Sequence, residues 1–169
     1  MGLRSGEARS LLVGDLAASQ LTVKNAGSGT DTTKTRASRR TLPVPATVLP
    51  WLTEVVGDRT KSAYLFASPR RAGQPVAKTY PNQALTRAVA RANDGRPEQI
   101  TRITVHGLRH TFAAITLSEA GGDILSVSRA MGHAKPSITL DKYGHLAPAG
   151  LGPLMAKVDT LVGSLAHAA

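Results

Sequence analysis

From Asn82 onward, apolar residues recur at intervals of three and four, and glycine or proline breaks the pattern every ten to fifteen positions or so. No other feature constrains the fold as much, because a pattern cut this often calls for a packed set of short helices. Leu85, Val89 and Ala92 share one face of a predicted helix over residues 82–92. Residues 105–120 carry the strongest helical pattern, which stops at Gly121-Gly122. Asp123 suits the N-cap of a short helix that ends at Met131-Gly132. Pro136 suits the opening turn of another, running to about Leu146. Gly152-Pro153 precedes a last helix, with Leu154, Val158, Leu161, Val162 and Leu165 on one stripe.

The first half is more mixed. Residues 5–17 read as a helix with Ala8, Leu11 and Leu12 on one side, ended by Gly14-Asp15. Predicted strands over 20–24 and 39–44 flank a turn rich in Gly, Ser and Thr. The pair makes a hairpin with a basic tip: Lys34, Arg36, Arg39 and Arg40. A helix follows over 46–56 with Pro50 near its first turn, then an extended piece over 63–67 and a loop over 68–78. The sum is a mainly α fold with a small antiparallel sheet on one edge, forming one domain over residues 1–169.

Composition narrows the function. The 169 residues suffice for one core. No apolar run approaches the roughly 20 residues that span a bilayer, and the start lacks the apolar stretch of a signal peptide. A cytoplasmic location without a membrane partner is therefore expected. The absence of cysteine excludes disulfides and thiolate metal sites. Lys and Arg number 21 against 11 acids, a formal charge of +10 that favours a polyanionic partner through counterion release.

One segment gathers chemistry. In His106-Gly-Leu-Arg109-His110 the two histidines and the arginine lie three and four apart and share a helix face. Leu108, Phe112 and Ile115 fall on the other side and suit a core. A guanidinium fork matches two phosphate oxygens. Two plainer readings compete. Histidines at i and i+4 can ligate zinc, but Gly107 stands where a zincin has glutamate, Arg109 repels a cation, and no third ligand is evident. The segment could also be a solvated basic face.

The rest of the chain decides between them. Gly2-Leu3-Arg4-Ser-Gly-Glu7 opens the sequence, the basic hairpin with Lys34 follows, and Met131-Gly132-His133 comes after the histidine-arginine segment. Tyr143 lies ten residues after His133. In order and spacing this set resembles the tyrosine recombinases of the phage-integrase type. The family pattern runs from a Gly-Leu-Arg-x-x-Glu helix through a hairpin lysine to His-x-Leu-Arg-His, then Leu-Gly-His and a tyrosine. Each motif alone is weak, and the ordered set is specific.

The resemblance implies a catalytic domain that cuts and rejoins duplex DNA through a 3′-phosphotyrosyl intermediate, acting in site-specific recombination or integration. It implies Tyr143 as nucleophile, Arg4, Arg109 and His133 around the phosphate, His106 taking the phenol proton, and Lys34 protonating the leaving oxygen. Glu7 and His110 match supporting positions. The energy of the broken link is kept in the tyrosyl-phosphate bond, so no cofactor, ATP or metal is implied. The implied partner is double-stranded DNA, with a homotetramer assembled on it, and the apolar stripe of the last helix suits either docking into a neighbouring protomer or folding back on its own domain. Tyr64 reads as a core residue, and Tyr80 has no basic constellation around it.

Family members carry a core-binding domain and several catalytic-domain helices before the first arginine. Here Arg4 is the fourth residue, so that region is expected to be missing and apolar surface around Leu11 and Leu12 to be bared. A DNA-binding remnant without activity, or a type IB topoisomerase-like relaxing enzyme, are the alternatives.

Overall fold

A computed structural model describes residues 1–24, 39–146, 155, 156 and 158–160. Its first helix, α1 (Ser5–Ser10), is shorter than the pattern over 5–17 suggests. Past it, Leu11, Val13 and Asp15 are buried while Leu12 and Gly14 are not, a period of two rather than 3.6. The backbone is extended at Leu11 and Leu12, then makes a 3-10 turn over Val13–Asp15, and it borrows partners from a distant segment: Leu65 N–H donates to the Leu11 carbonyl, and Val13 N–H to that of Ala63. Leu11 is therefore core, 2% exposed, and not part of the expected bared surface, while Leu12 is partly covered.

A three-stranded antiparallel sheet follows in the order β1 (Leu16–Ala17), β2 (Gln20–Val23), β3 (Arg40–Pro43). β2 and β3 pair Leu21 with Leu42 and Val23 with Arg40. Alternation along β2 sends Leu21 and Val23 inward. The expected hairpin thus has its stem here, while Lys34 and Arg36 lie outside the described residues. Arg40, counted both in the predicted strand over 39–44 and in the basic tip, sits in the stem.

Helix α2 (Leu49–Val56) begins with Pro50 in its first turn, where a missing N–H costs nothing. A loop leads to α3 (Tyr80–Asn93), then α4 (Val105–Ser118), α5 (Ile124–Met131) and α6 (Ser137–Tyr143), with a 3-10 turn over Gly144–Leu146. Side-chain caps set two of these starts: Thr104 accepts from Gly107 N–H and Asp123 from Ser126 N–H. Gly132 ends α5 in the left-handed region, where a glycine is favoured.

Two apolar clusters result. One joins Leu11, Val13, Leu21, Val44 and Leu65 around the sheet. The other joins Ala113, Leu117, Val127, Met131 and Tyr143 among α4, α5 and α6. Helix α4 turns an unexpected face inward. Arg109, Ala113 and Leu117 are buried, whereas Leu108 and Ile115 are about half exposed and Phe112 is only partly covered. A buried guanidinium reads as polar in a hydrophobicity pattern, so the pattern pointed the helix the wrong way. Tyr64 is only half-buried, since it lies in a bridge to Leu12 at the edge of the sheet cluster. Of the expected last-helix stripe, Val158 is exposed, and Leu154, Leu161, Val162 and Leu165 lie outside the described residues. No helix among the described residues is long and apolar enough to cross a membrane.

Candidate active site

The site forms at the C-terminal end of α5, where a helix leaves its last carbonyls without intrahelical partners and carries the negative end of its dipole. Guanidinium groups from three separate parts of the sequence converge on those carbonyls. Arg40 Nε donates to Ala130 O at 2.7 Å, Arg109 Nη2 to Met131 O at 2.8 Å, and Arg4 Nη1 to Gly132 O at 3.1 Å. The Met131-Gly132-His133 turn is therefore a socket for arginines. Gly132 is required there, because its φ is +65° and a Cβ would lie 2.5 Å from Arg40 Nη1.

One carboxylate holds the three cations together. Glu7 is fully buried. It accepts from Arg40 Nη1 and Nη2 at 2.9 and 2.8 Å, a bidentate pair, and from Arg4 Nη1 at 3.0 Å. Its Oε2 also takes the Arg4 backbone N–H at 2.7 Å, which starts α1, and stands 4.0 Å from Arg109. Burial alone would push the Glu7 carboxyl up, but the Arg40 hydrogen bonds, the Arg4 amide and both charges hold it below its usual value. Three guanidiniums against one carboxylate leave net positive charge at the site.

Arg109 is buried, and its pKa falls to about 10 through burial and the neighbouring Arg4 charge; it stays protonated at neutral pH. Its Nη1 also donates to the carbonyl of Gly2. That residue has φ +61° and packs against Phe112, where any Cβ would collide, so the glycine of the opening Gly-Leu-Arg run is a matter of space. Arg4 is the accessible member of the trio, with 43% of its side chain exposed.

His133 Nδ1 lies 2.7 Å from the hydroxyl of the buried Thr139. Burial, then the charges of Arg109 and Arg4, lower its pKa to about 4. It is therefore neutral at pH 7 and offers a hydrogen bond rather than a charge.

Tyr143 closes α6 and is 6% exposed. Burial pushes its phenol up, partly offset by the charge of Arg109. Its hydroxyl is hydrogen-bonded to His110 Nδ1, so the histidine beside the phenol is not the expected His106. His106 is exposed and meets His110 edge-on, ring centroids 4.4 Å apart at 89°. The structure thus brings together Arg4, Glu7, His106, Arg109, His110, His133 and Tyr143. Lys34 lies outside the described residues. Lys24, a second hairpin lysine, is paired with Asp15. Tyr80 is on α3, over which Arg87 stacks. Arg40 went unrecognised as a site residue, and the only sequence signal for it was a basic residue at the start of a strand. Among the described residues no group of three or more His, Cys, Asp or Glu side chains is arranged to hold a metal ion.

Comparisons with known proteins place the sequence and the fold. An integrase of Streptomyces ambofaciens is 31% identical over 121 residues, 66% of this chain and 30% of that protein. A putative integrase of Pseudomonas phage Pf1 is 42% identical over 60 residues, 36% of this chain and 16% of its own length. The Tn1549 transposon integrase, solved with circular intermediate DNA, superposes with a TM-score of 0.71 at 25% identity, covering 95% of this chain and 56% of that one. The catalytic domain of bacteriophage HP1 integrase gives 0.53 at 27% identity, covering 89% and 71%. XerA recombinase, at 23% identity and 0.61, shares the fold. The chain spans less than a third of the curated relatives it matches. The model of the phage integrase family matches residues 1–149, from the Gly2-Leu3-Arg4 opening through Tyr143, and the chain belongs to that family.

Proposed function

We propose that this chain is the catalytic part of a site-specific DNA recombinase, which cleaves and rejoins a DNA strand through Tyr143. The observation that carries the reading is the meeting of a phenol with a buried arginine cluster whose charge exceeds its single carboxylate. A phosphodiester repels an anionic nucleophile, and positive donors aimed at its non-bridging oxygens offset that repulsion as charge develops. Arg4 supplies the accessible guanidinium, Arg109 a fixed one, and His133 a neutral N–H. A phenol near its ordinary pKa or above is a weak nucleophile at pH 7 and needs a base, for which α4 offers His106 and His110. The departing 5′ oxygen needs an acid, and Lys34 fills that role by family position. Double-stranded DNA is the partner, engaged by a tetramer in the complete protein, and the reaction takes place in the cytoplasm.

The test is a pool of duplexes nicked near a randomised centre, so that cleavage releases a short fragment and cannot reverse. A protein–DNA adduct that survives denaturant, from the parent chain and not from Tyr143→Phe, is the expected result. Binding without any adduct from the parent would make the chain a DNA-binding remnant. Relaxation of supercoiled plasmid without a paired site would favour a topoisomerase-like enzyme.

A further inference from the structure

We infer that His110, rather than His106, is the base that takes the Tyr143 proton, with His106 positioned behind it. This rests on the reading of Tyr143 as nucleophile. Three geometric facts carry it. The Tyr143 hydroxyl is bonded to Nδ1 of His110, a side chain one turn further along α4 than the histidine that opens the motif. Both rings are shielded, Tyr143 almost wholly and His110 in part. His106 contacts the edge of the His110 ring and makes no ring contact with Tyr143.

The protonation states fit. Burial, then the charges of His106, Lys142 and Arg109, lower the His110 pKa, so its ring is neutral at pH 7. Tyr143 stays a phenol. Acting as base requires the tautomer in which the hydroxyl donates and Nδ1 accepts, with the His110 proton on Nε2. In the step that follows, the Tyr143 O–H bond breaks and its proton moves to Nδ1. The phenolic oxygen bonds to phosphorus, the P–O5′ bond breaks, and the 5′ oxygen leaves as a hydroxyl with a proton from the acid assigned to Lys34. His110 is then an imidazolium and returns the proton when the 5′ hydroxyl of a strand attacks the phosphotyrosine.

The experiment measures single-turnover adduct formation on the nicked-duplex pool against pH, with the full chain and its histidine variants, and a further arm uses Lys34→Ala. His110→Asn keeps an acceptor for the hydroxyl but is no base at these pH values; His110→Ala removes both. Each is expected to slow cleavage by about 100-fold or more and to abolish the acidic inflection of the parent profile. His106→Ala is expected to slow cleavage less than either His110 variant, and to keep the inflection while moving it upward, because it removes a charge that lowers His110. A 5′-bridging phosphorothiolate, whose sulfur leaves without a proton, should rescue Lys34→Ala and not His110→Asn. His110→Asn cleaving at the parental rate, or His106→Ala alone losing the inflection, overturns the assignment and leaves Tyr143 as nucleophile. No adduct from the parent overturns the recombinase reading itself. Independently of DNA, the histidine 15N spectrum of the free chain should show His110 with the proton on Nε2. Its Nδ1 signal should move in Tyr143→Phe, and an unmoved signal contradicts the hydrogen bond.

Discussion

Replacing Glu7 with glutamine keeps the shape of a fully buried side chain and deletes the charge that three guanidiniums share. Two of the three partners have no water to turn to: Arg40 and Arg109 are 8% and 5% exposed. Arg4 is accessible enough to be solvated. Removing one member of a buried ion pair costs about 3–5 kcal/mol. Glutamine keeps one acceptor oxygen, and Arg109 retains the Gly2 and Met131 carbonyls, so the low end applies, about 3 kcal/mol. For a chain of this size that corresponds to a fall in Tm of roughly 6–12 °C. Urea unfolding of the parent, Glu7→Gln, Arg40→Gln and the double variant checks it, with a coupling of more than about 1 kcal/mol expected for residues in contact. The pH dependence has a definite sign. Glu7 is held below its usual value, so its contribution is present above the unfolded carboxyl pKa of about 4. It is lost as the pH falls through the lower folded value, and Glu7→Gln should flatten that acid limb. A loss below about 1 kcal/mol, with the acid limb unchanged, would show that α5 alone holds the arginines and refute the shared-carboxylate argument.

Gly132→Ala should destabilise by roughly 1–2 kcal/mol for the left-handed backbone alone, plus the displacement of Arg40, read by urea unfolding. Its partner effect is slower adduct formation, since Arg4 and Arg40 share that turn. Arg109→Lys should lose on the order of 100-fold in single-turnover cleavage, because one ammonium cannot span the Gly2 and Met131 carbonyls while facing a phosphate. A rate within threefold would remove Arg109 from the site.

Much of the site was legible because its residues sit in local runs: Arg4 with Glu7, Arg109 with two histidines, and His133 after Met131-Gly132. What the sequence concealed is long-range. Arg40 finds Glu7 across 33 positions and Ala130 across 90, and nothing near it in the chain marks it. The choice between His106 and His110 depends on where α6 lays Tyr143 against α4, a packing outcome that motif order does not encode. The inward face of α4 was misjudged for a related reason, since burial of Arg109 is favourable only because Glu7 and the ends of α5 meet it. In α1 the periodicity misled too. Leu11 and Leu12 are drawn into extended pairing with the chain around Tyr64, and Val13 donates to Ala63, partners the local pattern does not reveal. The strands of the hairpin stem and the helices from α3 to α6 were read within a few residues, because caps and glycines mark their ends.

The most direct test of the central claim is to locate the covalent bond. Adducts trapped on the nicked-duplex pool can be denatured, digested with nuclease and protease, and mapped by tandem mass spectrometry. The account predicts a single modified peptide, with a 3′-phosphonucleotide on the phenolic oxygen of Tyr143 and a free 5′ hydroxyl on the released strand. A bond to Tyr64, Tyr80 or any serine, or a 5′-phosphate linkage, would contradict it.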